Sequence, residues 1–156
     1  MQSSIVSGSV AFAGDEWTKY VAKDYGFQML VPEGAKLVER ERSGGWGELS
    51  CKHDGVEFYA LAKLGEAEEK KDIRSFAEEM YGVPSQKWTK FDEGKNDNGW
   101  NWYEIYLAEQ GESLIFGGFG TGPKGNYLVF LKTTKEDYEQ HKADYKTWIN
   151  SVKLSK

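Results

Sequence analysis

The fold is decided by a stretch in which three apolar runs are separated by two glycine-containing turns, residues 98–132: NGWNWYEIYLAEQGESLIFGGFGTGPKGNYLVFLK. The runs, at 99–109, 113–121 and 126–132, have the length and the aromatic and β-branched content of strands. Asn98-Gly99 is a strong hairpin signal because both residues tolerate the positive φ of a tight turn. These short connections predict an antiparallel meander.

The chain before this stretch adds more strands of the same kind. Asp54-Gly55 supplies another tight turn, and it predicts a hairpin between the runs on either side of it. Composition and the flanking turn residues predict five strands in this part of the chain: 17–22, 26–31, 46–52, 56–63 and 87–93.

Two segments have the periodicity of amphipathic helices. In 66–81, apolar residues recur at spacings of three and four, which places them on one face of a helix, and Gly82 is suited to ending it. The second helix begins at Thr133 or Thr134, since each has an acidic residue three positions later, as in a capping box.

Runs of strands joined by short turns, with two separate helices, predict an α+β fold rather than alternating α/β. We expect a mostly antiparallel, twisted β-sheet with both amphipathic helices packed on it. A chain of 156 residues is the size of one domain, and no linker or repeat interrupts 15–156.

Composition excludes several classes of protein. The net charge of −5, with basic residues interleaved with acids, argues against nucleic acid as a partner because phosphate binding needs clustered Lys and Arg. No run of the sequence has the roughly 20 apolar residues of a transmembrane span.

Residues 1–14 are predicted to lie outside the folded domain as a flexible N-terminus. Ala11-Phe12-Ala13 fits the small-x-small pattern of a signal-peptidase site, although the basic and long apolar parts of a signal peptide are missing. A signal-peptide remnant is favoured over an ordinary terminus, and it indicates a periplasmic or secreted protein, with the cytoplasm as the alternative.

The order of elements resembles the PsbP-like fold family, which includes PsbP, the yeast Ran-binding Mog protein and bacterial DcrB-type proteins. Residues 25–34 look like the family's opening strand and turn, and 127–130 followed by 149–152 look like its closing strand and helix. The resemblance implies a non-enzymatic accessory or binding domain that is often exported and acts by contacting another protein. It carries over no functional residue.

Aromatic residues occur on both faces of the strand at 99–109. Alternation places Tyr103, Ile105 and Leu107 on one face. The other face receives the remaining apolar residues: Trp100, Trp102, Tyr106 and Ala108. Either helices cover both faces of the sheet, or part of this strand forms an exposed aromatic platform for binding. The candidate residues of the platform are Trp100, Trp102, Tyr106, Trp46 and Trp88.

Catalytic and metal-binding patterns are weak. Cys51 and His53 point to the same face of a predicted strand, but nothing nearby completes a catalytic triad. The glycines of 117–122 lack the Lys-Ser/Thr of a phosphate-binding loop and are typical of close packing. Neither His53 nor His141 has neighbours at metal-ligand spacing, so no metal or cofactor is predicted.

These sequence features leave three functions open. The leading hypothesis is a non-catalytic accessory domain that binds another protein. The alternative is a module that binds a glycan or an apolar small molecule on stacked aromatic residues. The third is a hydrolase that uses carboxylates or the pair Cys51 and His53 in a site that sequence patterns do not identify.

Overall fold

The structure is a computed structural model that describes residues 4–12 and 15–156. It contains two antiparallel sheets and two α-helices. The strands are β1 (Ser4–Phe12), β2 (Asp15–Ala22), β3 (Phe27–Pro32), β4 (Val38–Arg42), β5 (Trp46–His53), β6 (Val56–Leu64), β7 (Trp88–Asp97), β8 (Trp100–Gln110), β9 (Ser113–Gly122), β10 (Gly125–Thr134) and β11 (Lys153–Leu154). The helices are α1 (Lys70–Tyr81) and α2 (Lys135–Asn150).

The larger sheet has seven strands in the order β4-β5-β6-β10-β9-β8-β7. Its second half is the predicted meander, in which β7 to β10 follow one another as antiparallel neighbours. Asn98 and Gly99 have φ values of 52° and 85° in the turn between β7 and β8. The antiparallel sheet and its hairpins are therefore confirmed, because the turn residues adopt the backbone conformations that their chemistry allows.

The smaller sheet has the order β1-β2-β3-β11. Its strand β11 brings the C-terminus onto β3, with Leu154 opposite Phe27. The sequence predicted β2 and β3 but not β4 or β11. Residues 4–12, for which it predicted a flexible terminus, form β1 on β2. The domain limits and the signal-peptide interpretation stay predictions, since Ala13 and Gly14 lie outside the described residues.

The two helices pack on opposite faces of the seven-stranded sheet. Ile73, Ala77 and Tyr81 of α1 share a core cluster with Leu128 and Phe130 of β10. Tyr145 and Trp148 of α2 share the other cluster with Val129 and Leu131, which alternate along β10 with Leu128 and Phe130. Residues of the smaller sheet belong to the same cluster. We call these sides of the sheet the α1 face and the α2 face. The α+β prediction, with both helices on the sheet, is confirmed.

Helix α1 begins four residues later than the apolar pattern indicates. The side chain of Asn126 holds the segment before it, because its amide donates to the carbonyl of Glu66 (3.0 Å) and its Oδ1 accepts from the amide of Glu68 (2.8 Å). A helix that began at Glu66 would need the Glu66 carbonyl for its own first hydrogen bond, and the bond from Asn126 occupies that carbonyl. The C-terminal prediction is confirmed, since Gly82 ends α1 with a φ of 71°.

The glycines of β9 allow close packing of rings, as predicted. A Cβ atom on Gly117 would lie 2.5 Å from the hydroxyl oxygen of Tyr81, a distance too short for any side chain. Tyr81 therefore reaches down to the sheet surface at this position. In the part of the chain that the structure describes, neither helix is long and apolar enough to cross a bilayer.

Candidate functional site

The five aromatic candidates do not form one exposed platform. Trp46, Trp100 and Tyr106 are buried, with side chains at most 8% exposed, while Trp88 and Trp102 are partly buried. Four of the five belong to a single cluster on the α1 face: Trp46, Trp88, Trp102 and Tyr106. The sequence left two interpretations of the rings on both faces of β8: helices that cover both faces, or an exposed aromatic platform. In the structure a helix packs on each face of the sheet, as in the first interpretation.

Trp100 lies on the other face of the sheet from Trp102, contrary to the prediction. Its ring packs in the α2-face core against Tyr103 (6.1 Å between centroids) and Tyr127 (6.1 Å). Trp100 pairs with Asp97 of β7, but pairing of β8 with β9 starts only at Trp102, so the backbone at Trp100 is held on one side and its side chain departs from the alternation. Gly120 has no side chain to block this position, and a Cβ there would lie 3.0 Å from the Trp100 ring.

Trp46 stacks on Phe76 of α1, with centroids 4.2 Å apart, and the other three candidate rings of this cluster gather around Phe119 of β9. Its centroid lies 5.8 Å from that of Tyr106, 6.1 Å from that of Trp102 and 6.2 Å from that of Trp88. The indole of Trp88 donates a 2.9 Å hydrogen bond to the carbonyl of Val83, just beyond α1. The rings are thus fixed between β7, β8, β9 and the end of α1.

A buried carboxylate, Glu104, lies between Trp102 and Tyr106 on this face of β8. It accepts hydrogen bonds from Lys70 Nζ (2.8 Å), Arg74 Nη2 (3.2 Å) and the hydroxyl of Tyr106 (2.6 Å). Burial alone would raise the pKa of Glu104, but the hydrogen bonds from Lys70 and Tyr106 hold this pKa below its usual value. Glu104 is therefore a carboxylate in the folded protein at neutral pH.

Positive charge exceeds negative charge around Glu104. The ammonium of Lys90 lies 3.9 Å from Glu104 and 3.6 Å from Glu93, and Lys95 is the cross-strand neighbour of Trp102. Four cations, Lys70, Arg74, Lys90 and Lys95, thus face two carboxylates, a local surplus of two positive charges on a chain whose net charge is −5.

The cations also lie against the rings. Lys70 Nζ is 4.9 Å from the centroid of Trp102, and Lys90 Nζ is 5.9 Å from that of Tyr106, both within cation–π range. A recess of about 140 Å³ opens beside them, lined by Lys70, Glu93, Gly94, Lys95, Trp102, Tyr103 and Glu104. We call this set, with Arg74, Lys90, Trp88 and Tyr106, the cation–aromatic cluster.

Comparison with solved structures identifies the architecture. The chain matches the solution structure of cyanobacterial PsbP (CyanoP) from Synechocystis sp. PCC 6803 with a TM-score of 0.64, over 96% of this chain and 98% of that chain. The fold is PsbP-like. Sequence identity between the two proteins is only 14%, so the likeness concerns the fold alone. No family model and no curated protein matches the sequence.

The PsbP-like fold confirms the resemblance that residues 25–34 and the closing strand and helix indicated. These segments form β3 with its turn, β10 and the end of α2. They build the core: Phe27, Met29 and Val31 of β3 pack in the same cluster as Trp148 and Ile149 of α2. The motif residues thus specify packing, which explains why they identified the fold and no functional site.

The pair Cys51 and His53 does not form an activated nucleophile in this PsbP-like fold. Cys51 is buried, and burial raises the pKa of its thiol to about 11, so the thiolate is scarce at neutral pH. Residues 4–12 and 15–156 contain no group of three or more His, Cys, Asp or Glu side chains arranged to hold a metal ion.

A second cleft, of about 90 Å³, contains both histidines of the chain, which sequence spacing did not bring together. His53 Nε2 lies 3.3 Å from Asp54, and His141 Nε2 lies 3.8 Å from Asp137. Asp137 also accepts hydrogen bonds from the hydroxyls of Tyr145 and Thr133. Carboxylates thus face both imidazoles, and the hydroxyls of Tyr145 and Thr133 donate to Asp137 and not to an imidazole.

Proposed function

We propose that this PsbP-like domain is a non-catalytic accessory domain that binds a partner protein through the cation–aromatic cluster. The observation that carries the proposal is the surplus of two positive charges around buried Glu104, set against the rings of Trp102 and Tyr106. Of the five aromatic candidates, Trp102 and Trp88 retain exposed ring surface there and are the proposed contact residues.

A protein surface with acidic side chains fits this cluster better than a small ligand does. The recess of about 140 Å³ is small for a ligand pocket, which has about 300 to 1,000 Å³. Trp, Tyr and Arg are the residues that most often dominate the binding energy at protein interfaces, and the cluster contains all three. A local positive charge on an acidic protein also selects the orientation in which a negatively charged partner approaches.

Charge reversal in the cluster tests this function. Lys95 lines the recess, and Lys95→Glu changes the surplus by two charges without removing a bond to Glu104. Each form of the domain is immobilised and exposed to an extract of the source organism. The wild-type domain should retain a specific protein, and Lys95→Glu should not. Lys146→Glu, on the exposed side of α2, is the matched control and should retain it.

The competing outcomes are distinct. Retention of the same protein by Lys95→Glu and by Lys146→Glu would show that the partner docks elsewhere. For the retained protein, affinity should fall as ionic strength rises from about 0.01 M to 0.15 M, because the Debye length shortens from about 30 Å to 8 Å. An affinity independent of salt would contradict a charge-steered contact.

We also propose that the domain is exported, in keeping with the Ala11-Phe12-Ala13 pattern of the sequence. The test is fractionation of the source cells with an antibody against the domain, together with mass spectrometry of its N-terminus. Export predicts the protein in the extracytoplasmic fraction, and an N-terminus next to Gly14 there would mean that processing removes β1 from the smaller sheet. Recovery of the uncleaved chain with cytoplasmic markers would contradict it.

A further inference from the structure

Part of the α1 face carries no second layer. A helix with its side chains is about 10 Å wide and strands lie about 4.8 Å apart, so one helix covers about two or three of the seven strands. Helix α1 lies over β9 and β10, and it also reaches Glu104 of β8 and Trp46 at the start of β5. Beside it, strands β4, β5 and β6 border two recesses of about 280 Å³ each, which meet at Glu57 and Tyr59.

The ring of Tyr59 is held as a wall between these recesses. One face of the ring stacks on Phe130 of β10, with centroids 4.6 Å apart and planes 14° apart. The hydroxyl donates a 2.6 Å hydrogen bond to Glu57. On the other side the cross-strand neighbour is Ser50, whose side chain is too short to cover a ring. The second face of Tyr59 therefore borders the recess over β4 and β5.

Lysines give this second recess a positive charge. It is lined by Lys36, Val38, Ser50, Cys51, Lys52, Glu57 and Tyr59. Lys36 and Lys52 form no ion pair with any side chain that the structure describes, although Lys52 lies opposite Glu57 in the strand register. The carboxylate of Glu57 is bonded to the Tyr59 hydroxyl, so two ammonium groups face one occupied carboxylate.

We propose that this recess binds a small aromatic carboxylate, with its ring stacked on Tyr59 and its carboxylate between the ammonium groups of Lys36 and Lys52. Stacking on a ring already fixed by Phe130 and Glu57 costs little conformational entropy. A neutral sugar would stack on Tyr59 but would leave both lysines without a counter-charge. The site shares no residue with the cation–aromatic cluster, so it stands independently of the proposed function.

The first experiment is an NMR titration of the whole chain with sodium benzoate, in which the chemical shifts of the backbone amides are measured. The amides of Ser50, Lys52 and Tyr59 should shift and saturate. Benzyl alcohol keeps the ring without the charge, acetate keeps the charge without the ring, and neither should saturate in the same range. If acetate binds as tightly as benzoate, the recess is only a general anion contact and the proposal is wrong. If benzyl alcohol or glucose binds as tightly as benzoate, the recess takes a neutral ligand and the proposal is also wrong.

Variants locate the site. Lys52→Gln should weaken benzoate binding about threefold, the size expected for loss of an exposed ion pair. Tyr59→Leu should weaken it about tenfold through loss of stacking, and Tyr59→Phe should keep most of it. Ser50→Phe, which fills the gap opposite Tyr59 from the surface, should abolish it. Lys146→Gln is the control. Unchanged binding in Lys52→Gln and Ser50→Phe overturns the proposal even if Tyr59→Leu does not fold.

Discussion

The hydroxyl of Tyr106 donates a 2.6 Å hydrogen bond to the carboxylate of Glu104, two residues earlier on the same face of β8. Lys70 and Arg74 of α1 donate to the same carboxylate. A buried charge is tolerated only when it is paired and hydrogen-bonded. Glu104 therefore ties α1 to β8 and fixes the ring of Tyr106, which lies 5.1 Å from the ring of the proposed contact residue Trp88.

Replacement of Glu104 by glutamine should destabilise the fold by about 2 kcal/mol. Glu104→Gln keeps the shape of the side chain but removes the charge that pairs with Lys70 and Arg74. The loss stays below that of a fully buried ion pair because both cations are more than a third exposed and can be hydrated. Urea unfolding followed by Trp fluorescence measures the change in the free energy of unfolding.

The matched control for this variant is Glu109→Gln at the end of the same strand. Glu109 is 61% exposed and pairs with Lys135 at 3.6 Å. Its replacement should change the free energy of unfolding by less than about 0.5 kcal/mol, as for most surface sites. Similar losses in the two variants would mean that the bonds of Glu104 do not stabilise the packing of α1 on β8.

The contribution of Glu104 should also depend on pH in a defined direction. The pKa of Glu104 in the folded state lies below the value of about 4.3 for an unfolded glutamate. A group with a lowered folded pKa stabilises the fold fully above the unfolded pKa, and this stabilisation is lost as the pH falls through the folded pKa. The difference in unfolding free energy between wild type and Glu104→Gln should therefore be constant near neutrality and shrink below about pH 4. A difference that stays constant across this range contradicts the lowered pKa.

Loss of the hydroxyl should change the free energy of unfolding in opposite directions at two buried tyrosines, Tyr81 and Tyr145. The hydroxyl of Tyr81 has no hydrogen-bond partner among the described residues, and burial raises its pKa. The hydroxyl of Tyr145 donates a 2.5 Å hydrogen bond to Asp137. Tyr81→Phe removes an unpaired polar group and should be neutral or stabilising by up to about 1 kcal/mol. Tyr145→Phe should destabilise by about 1 to 2 kcal/mol. Thermal and urea unfolding of both variants give the comparison, and equal losses would refute it.

Local signals account for the parts of the fold that the sequence predicted. The turns at Asp54-Gly55 and Asn98-Gly99 specify their hairpins through positive φ, whatever lies around them. Strand β4, Val38–Arg42, has no such signal, since all five of its residues are exposed and four are charged. It forms because its backbone pairs with β5, which is a tertiary effect. The opposite sides taken by α1 and α2 likewise depend on packing.

The candidate site was predictable in part. Alternation predicted that Trp102 and Tyr106 lie on one face of β8. The predictions missed Glu104, although the same alternation places it between these two rings, where a carboxylate needs partners. Its partners Lys70 and Arg74 lie 34 and 30 positions earlier in the chain, a separation that no local pattern bridges. The failure at Trp100 lies at the start of the strand, where β9 does not yet pair with β8.

Asn126 should be the side chain on which the entry into α1 depends. It is fully buried, its amide donates to the carbonyls of Lys63 (3.2 Å) and Glu66 (3.0 Å), and its Oδ1 accepts from the amide of Glu68 (2.8 Å). Asn126→Asp has the same shape but turns a carboxylate oxygen toward the two carbonyls. The loss of two hydrogen bonds together with a buried unpaired charge should cost about 3 kcal/mol.

Hydrogen exchange distinguishes this role from a general loss of stability. In Asn126→Asp the amides from Glu68 to Ile73 should exchange faster relative to those of β9 and β10, because the segment before α1 is released while the centre of the sheet stays paired. Asn101→Asp is the control, since Asn101 is exposed and its side-chain amide donates to the hydroxyl of Thr121 at the surface of the sheet. If exchange rises uniformly over the chain, Asn126 stabilises the whole domain and does not fix the start of α1 in particular.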